Sequence, residues 1–253
     1  MSLGADLNDV ELARKIAETA GRILVELQVS GLFADKALGK AGDRTANAFI
    51  MEALKTCRPD DAVLSEEEKD NAERLKASRV WIVDPLDGTR EYGERRTDWA
   101  VHVALAIDGE PAIGAVALPG FPLTLCSGRP PAVPPAPGKL RMLVSRTRPA
   151  KEAVAVAEAI GAELVPMGSA GAKAMAVVRG EADIYLHTGG QYEWDNCAPA
   201  AVALAAGLHV SRADGSPLRY NNQDTYLPDL LIARHEHAQQ VLQVLKTLEP
   251  AGG

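Results

Sequence analysis

Two aspartates, Asp84 and Asp87, stand three positions apart at the end of the apolar run 80–83, and Gly88-Thr89 follows at once. Carboxylates that close repel each other unless positive charge lies between them. Gly88 permits a tight backbone path, and Thr89 reads as the N-cap of a short following helix. The N–H groups at such a start favour an anion. A divalent cation reconciles the two features, because a hard ion such as magnesium takes oxygen ligands and shares them with substrate phosphates. An acidic turn that merely closes a strand has the same sequence, so this motif alone leaves both readings open.

Three further stretches bear on the choice. Ser65-Glu66-Glu67-Glu68 ends another apolar run, 62–64. If the two strands are neighbours, Glu66 and Asp84 emerge on one edge, and ligands of open α/β sheets gather at such carboxyl ends. Asp195 stands just ahead of an Ala-rich helix, where an aspartate can cap the helix with one oxygen and meet a cation with the other. Gly168-Ser169-Ala170-Gly171 joins a strand to a helix, with Lys173 in its first turn. This turn could cradle a phosphate on backbone N–H groups with the lysine assisting, although it is not a Walker A loop. Tyr192 and Trp194 flank Asp195 and could stack on a base, or simply pack in a core. Arg219 and Tyr220 follow the Asp214-Gly215 turn and read as a polar rim. The five histidines show no metal-ligand spacing.

The elements that must position these residues fall into two rhythms. Periodicity predicts a helix over 9–28, with Asn8 and Glu11 as a capping box, and a second helix from about Asp43. Strands follow at 62–64, 80–83, 99–107, 112–118 and 122–126, with Asp108-Gly109 as a hairpin turn. "GRPPAVPPAPG", 128–138, is too rich in proline for a sheet and marks the best candidate boundary, though a surface loop within one domain would read the same way. After it, strands at 141–145, 163–167, 184–186 and 230–233 alternate with helices at 149–160, 170–178, 195–206 and 236–248. That alternation predicts an α/β half. The expected organisation is therefore an α+β subdomain over 1–138 carrying the main metal site, and an α/β subdomain over 139–253 carrying Asp195 and substrate contacts.

The chain has 253 residues, a formal net charge of −7 and no Lys/Arg block, which argues against a nucleic-acid polymer as partner. No apolar run approaches a membrane span. The acidic start MSLGADLNDVE does not read as a secretory signal. Cys57, Cys126 and Cys197 fit neither a zinc site nor a disulfide framework, so reduced thiols in a cytoplasmic protein are expected.

In their order, "VLSEE", "WIVDPLDGT", "GSAGAK" and "WDNCAPAAVALAAG" resemble the lithium-sensitive, magnesium-dependent phosphatases of the inositol monophosphatase family. Within it, "DPLDGTREY", "GSAGAKAMAVV" and "DGSPLRYN" are most similar to the CysQ-type 3'-phosphoadenosine 5'-phosphate phosphatases of actinobacteria. The resemblance implies a layered αβαβα fold, two to three magnesium ions, a small phosphorylated substrate and a homodimer. It implies that Glu66, Asp84 and the Leu86 carbonyl hold one ion, and that Asp84, Asp87 and Asp195 hold a second. A third, looser ion would sit near Glu66. Asp43 matches a family aspartate by position, although Lys40 stands where the family has threonine; with Thr89 it would orient the attacking water. Leu86, Asp87, Gly88, Thr89, Gly168, Ser169, Lys173, Tyr192, Asp195, Arg219 and Tyr220 would meet the substrate. The implied reaction removes the 3'-phosphate of 3'-phosphoadenosine 5'-phosphate or its sulfated relative. Within the family, inositol monophosphate and fructose 1,6-bisphosphate are alternative substrates. A haloacid-dehalogenase chemistry wants a D-x-D interval, and the interval here is three. A non-catalytic nucleotide sensor would have no need of Asp195.

Overall fold

The computed structural model describes residues 4–135 and 138–248. Helix α1 (Asp9–Val29) starts where Asn8 accepts the Glu11 N–H at 2.9 Å. Helix α2 (Asp35–Cys57) begins eight residues before the expected start at Asp43. Gly39 and Gly42 weaken its local helical signal. They are there for packing: a Cβ on Gly39 would lie 2.7 Å from Thr89 Cγ2, and one on Gly42 2.8 Å from both Leu86 and Tyr92. Tertiary contact overrides propensity, and Asp43 sits within the helix rather than ahead of it.

The first sheet runs β1-β2-β3-β4-β5, built from β1 (Ala62–Ser65), β2 (Arg79–Asp87), β3 (Ala100–Ile107), β4 (Glu110–Leu118) and β5 (Leu123–Cys126). β1 and β2 are parallel; the rest is an antiparallel meander. Asp108 and Gly109, both at positive φ, make the expected turn between β3 and β4. β2 extends to Asp87 and not only to Val83, with its register against β3 broken between Asp84 and Asp87. Pro85 cannot donate to the ladder, so the strand bulges there. The short helix α3 (Thr89–Gly93) has Gly88, at φ 86°, as its N-cap. Thr89 is therefore the first helical residue and not the cap.

The second sheet runs β10-β12-β8-β6-β7. Its strands are β6 (Arg141–Ser145), β7 (Glu163–Met167), β8 (Ile184–His187), β10 (His209–Ser211) and β12 (Leu230–Ala233). Helices α4 (Lys151–Ile160), α5 (Ala170–Val178), α6 (Glu193–Ala205) and α7 (His235–Leu248) connect or follow them. β9 (Gln191–Tyr192) pairs with β11 (Tyr226–Leu227) in a two-stranded ribbon. β9, β10 and β11 have no counterpart in the sequence reading, because strands of two or three residues carry no usable periodicity.

Packing gives the layers αβαβα: α1 and α2 on the first sheet, α5 and α6 between the sheets, α4 and α7 outside the second. Alternation along β2 shows how one strand serves two layers. Trp81 and Val83 join the core under α1 and α2, while Val80 and Ile82 join the central core with α5 and α6. β3 turns Ala100, Ala104 and Ala106 to that central side, small residues facing Ala-rich helices. The first sheet is complete at Cys126 and the second begins at Arg141, but the central core draws on both. Residues 128–135 form no regular element, and 136–137 of the proline-rich stretch lie outside the described residues. Among the described residues no helix is long and apolar enough to cross a membrane.

Candidate active site

Carboxylates from distant parts of the chain converge at the carboxyl end of β2. One oxygen each of Asp84, Asp87 and Asp195 lie within 4.8 Å of one another. The parallel pairing of β1 with β2 brings Glu66 beside them, its N–H donating to Val83 O at 3.3 Å and its carboxyl close enough for its charge to act on Asp84. Asp43 approaches from α2, and Thr89 Oγ1 lies 3.3 Å from Asp43 Oδ1 and 3.1 Å from the Leu86 carbonyl.

Local geometry orients each carboxylate. Asp84 Oδ1 accepts the Leu86 N–H at 3.0 Å. Asp195 is the third residue of α6, not its N-cap; its Oδ2 accepts the Tyr192 N–H at 2.6 Å. The expected division of labour survives, with one oxygen on the backbone and the carboxylate still at the cluster. Asp87 is gripped hardest. Its Oδ2 accepts the Ser169 hydroxyl and the Gly171 N–H (2.6 Å), and its Oδ1 accepts the Ala170 N–H (3.1 Å). His102 Nε2 lies 3.2 Å from Asp87 Oδ2.

The electrostatics of this cluster call for a cation. Burial, then the charges of Glu66, Asp87 and Asp195, hold the Asp84 carboxyl well above its ordinary range. Burial and Asp195 push Glu66 up to about 7, and burial and Asp87 push Asp195 up to about 6. Asp43 is pushed up to about 7 by burial and by Glu67. For Asp87 burial acts upward too, but His102 and the turn donors outweigh it and hold the carboxyl down at about 2. For His102 burial lowers the pKa, and Asp87 reverses the balance and raises it. The groups gathered here are all oxygen donors: the carboxylates of Asp84, Asp87 and Asp195, with Glu66 beside them. They fit hard divalent ions, which would replace the protons the cluster otherwise retains.

A cleft of about 680 Å³ opens on the cluster, lined by Asp87, Gly88, Ser169, Lys173, Tyr192 and Asp195 among others. Tyr192 is 47% exposed and stacks on Trp194 at 4.9 Å between ring centres. Gly168 also lines the cleft, its N–H held by Asp98 at 2.7 Å. Two predicted contacts are not brought there. Arg219 is paired with Glu110 at 2.7 Å on the β3–β4 side of the molecule. Tyr220 is 3% exposed, with its hydroxyl donating to Asn196 and its N–H to Gly109 O. The chain after the Asp214-Gly215 turn folds over the β3–β4 hairpin, which buries that ring away from the cleft. Lys173 lines the cleft, yet its ammonium is turned into the backbone.

Sequence reasoning missed two groups. His102 is buried, and Nδ1 lies 3.0 Å from the Trp194 carbonyl, so it joins Asp87 to the residue before Asp195. A signal existed: it is the one polar residue of the β3 run, on the face of Ala100 and Ala104. Arg146, Arg148 and His187 also line the cleft. They stand just after the parallel strand β6 and at the end of its neighbour β8, a carboxyl-end position that could have marked them.

This fold and this site define a known class. The family model of the inositol monophosphatase family matches residues 10–132 and 136–248, and the chain belongs to that family. It is 48% identical over 259 residues to the 3'-phosphoadenosine 5'-phosphate phosphatase of Mycobacterium leprae, covering 96% of this chain and 95% of that one. It is 51% identical over 236 residues to the protein of that name from Mycobacterium tuberculosis, covering 88% of each. Among solved structures, CysQ from Bacteroides thetaiotaomicron superposes with a TM-score of 0.81 at 26% identity, covering 89% of this chain and 97% of that one.

Proposed function

We propose that this protein is a magnesium-dependent phosphatase that hydrolyses the 3'-phosphate of 3'-phosphoadenosine 5'-phosphate. The observation that carries it is the convergence of Asp84, Asp87 and Asp195 within 4.8 Å, with Glu66 alongside, at the mouth of a cleft suited to a nucleotide. The mycobacterial relatives bear the name of this activity at 48–51% identity. Two magnesium ions are proposed, one on Glu66, Asp84 and the Leu86 carbonyl, one on Asp84, Asp87 and Asp195. Bound there, they invert the sign of the local field and supply the Lewis acidity for phosphoryl transfer to water.

The chain's own groups do the rest. Thr89 Oγ1, between Asp43 and the Leu86 carbonyl, orients the attacking water, and Asp43 takes its proton through the hydroxyl. Burial and the charge of Glu67 raise the Asp43 carboxyl above its ordinary range, which favours it as the proton acceptor. Backbone N–H groups at Gly88 and Thr89 hold phosphoryl oxygens. Tyr192, half-exposed at the rim, stacked on Trp194 and set edge-to-face with Tyr226, offers an aromatic surface to the adenine.

The experiment is phosphate release from 3'-phosphoadenosine 5'-phosphate, its sulfated relative, inositol 1-phosphate and fructose 1,6-bisphosphate, each with magnesium and with a chelator. The bisphosphate nucleotide should give the highest kcat/KM, and the chelator should abolish turnover. A preference for inositol 1-phosphate, or turnover indifferent to the chelator, overturns the proposal.

A further inference from the structure

Lys173 is the only buried lysine among the described residues, and no carboxylate pairs with it. Its Nζ lies 3.0 Å from the Gly168 carbonyl and 2.6 Å from the Ser169 carbonyl, with the Tyr185 ring beneath it at 5.3 Å. A lysine that contacts substrate should present its charge to the cleft. This one places two of its three donors on successive carbonyls of its own turn.

Those carbonyls belong to a strained segment. Ser169 stands at φ 42°, ψ 135°, a region that a residue with a Cβ avoids. In that conformation three donors converge on one carboxylate: the Ser169 hydroxyl and the Ala170 and Gly171 N–H groups all reach Asp87. The turn has no slack. A Cβ on Gly171 would lie 2.0 Å from His102 Nε2, and one on Gly88 3.2 Å from Ser169 Cβ. The Gly168 N–H is separately held by Asp98.

We infer that Lys173 is a positioning residue for the metal site: its ammonium pins the Gly168 and Ser169 carbonyls and so holds the strained turn that fixes Asp87. The chain of action runs from the ammonium to the two peptide planes, to the three donors, to the carboxylate. Both Asp87 oxygens are then set in direction before any ion arrives, which lowers the reorganisation that binding requires. This inference rests on Asp87 being a metal ligand.

The test begins with Mn²⁺ titrated into metal-free wild-type protein by calorimetry. No binding there refutes the metal-site reading itself, before Lys173 is touched. With binding established, Lys173→Met should weaken Mn²⁺ affinity by about tenfold or more. It should also speed hydrogen exchange at the Ala170 and Gly171 amides by about tenfold, with β3 and α6 unaffected. KM for the nucleotide at saturating metal should stay within about twofold. Glycine has no Cβ and bears φ 42°, ψ 135° at lower cost than serine, so in a Ser169→Gly background the same substitution should cost less than about threefold in Mn²⁺ affinity. A rise in KM with metal affinity and amide exchange unchanged makes Lys173 a substrate contact and overturns the inference, as does a variant indistinguishable from wild type. If Lys173→Met does not fold, the wild-type ¹⁵Nζ resonance decides. It should not move when inorganic phosphate is added to the magnesium-loaded protein, and a shift overturns the inference.

Discussion

At the scale of single residues, Asp87 is where charge and hydrogen bonding meet. Ser169, Ala170, Gly171 and His102 all address its carboxylate, which leaves little freedom beyond the direction of the cluster. Asp87→Asn keeps the shape but removes the charge and turns an NH₂ toward donors. We expect native far-UV circular dichroism with turnover reduced more than about a hundredfold; full activity rejects the assignment of Asp87. His102→Phe acts on the same pair from the other side. It leaves Asp87 without its buried counter-charge and the Trp194 carbonyl without its donor, a change that costs about 3–5 kcal/mol for buried pairs of this kind. Denaturant melts of the metal-free protein should register it, and added magnesium should recover part of the loss, because the cation supplies the missing charge. The carboxylates were legible in the sequence as runs ending in acid. The role of His102 was not, because a lone histidine in an apolar strand carries no label for what packs against it.

At the scale of elements, α2 shows where local signal and tertiary demand part. Gly39 and Gly42 argue against a helix interior, yet α2 runs through both and lies so close to α3 that only glycine fits. That approach is what sets Asp43 beside Thr89. Gly39→Ala gains about 0.8–1 kcal/mol of helix propensity. It places a methyl against Thr89, and overpacking of this sort costs about 1–3 kcal/mol. The expected outcome is a small fall in Tm and a larger fall in kcat, about tenfold, since displacement of a water-orienting pair is felt in rate before it is felt in stability. A kcat unchanged while Tm falls would detach α2 from the chemistry. The start of α6 repeats the lesson on a smaller scale. Asp195 looked like an N-cap, but α6 begins at Glu193 because Tyr192 pairs with Tyr226 in the β9–β11 ribbon, a contact made across 34 residues.

At the scale of the whole molecule, the site is an electrostatic load carried by the surrounding layers. Glu66 and Asp43 are pushed up to about 7 and Asp195 to about 6, from ordinary values of 4.5, 3.8 and 3.8. Each binds its proton more tightly in the folded than in the unfolded chain. Between about pH 4 and 7 the folded metal-free protein therefore holds the excess protons, and its stability falls as pH rises. His102, raised as well, contributes with the same sign, while Asp87 at about 2 lies outside the window. Divalent ions bind the ionised carboxylates and displace those protons, so their stabilisation grows with pH. Thermal melts at pH 5.5 and 7.5, with chelator and with magnesium, check both signs. The chelated protein should melt lower at pH 7.5, and magnesium should raise Tm more at that pH. The opposite order would mean that the carboxyls are ionised without a cation, and the cluster would not be a metal site.

What the sequence determined by itself was the inventory: paired acids at strand ends, a small-residue turn with a lysine, a meander followed by strand-helix alternation. Those features are local, since turn chemistry, strand termination and periodicity act over a few residues; they sufficed for an α/β reading and for marking Asp84, Asp87, Glu66 and Asp195 as candidates, while the αβαβα layering and the ligand roles came from the family resemblance. Tertiary structure alone decided which groups share a space. It buried Tyr220 and paired Arg219 elsewhere, turned Lys173 into its own backbone, and set His102 between Asp87 and α6. Direction across a packed core depends on contacts between residues distant in the chain, and no local pattern encodes where a side chain will point once two sheets close on one layer of helices.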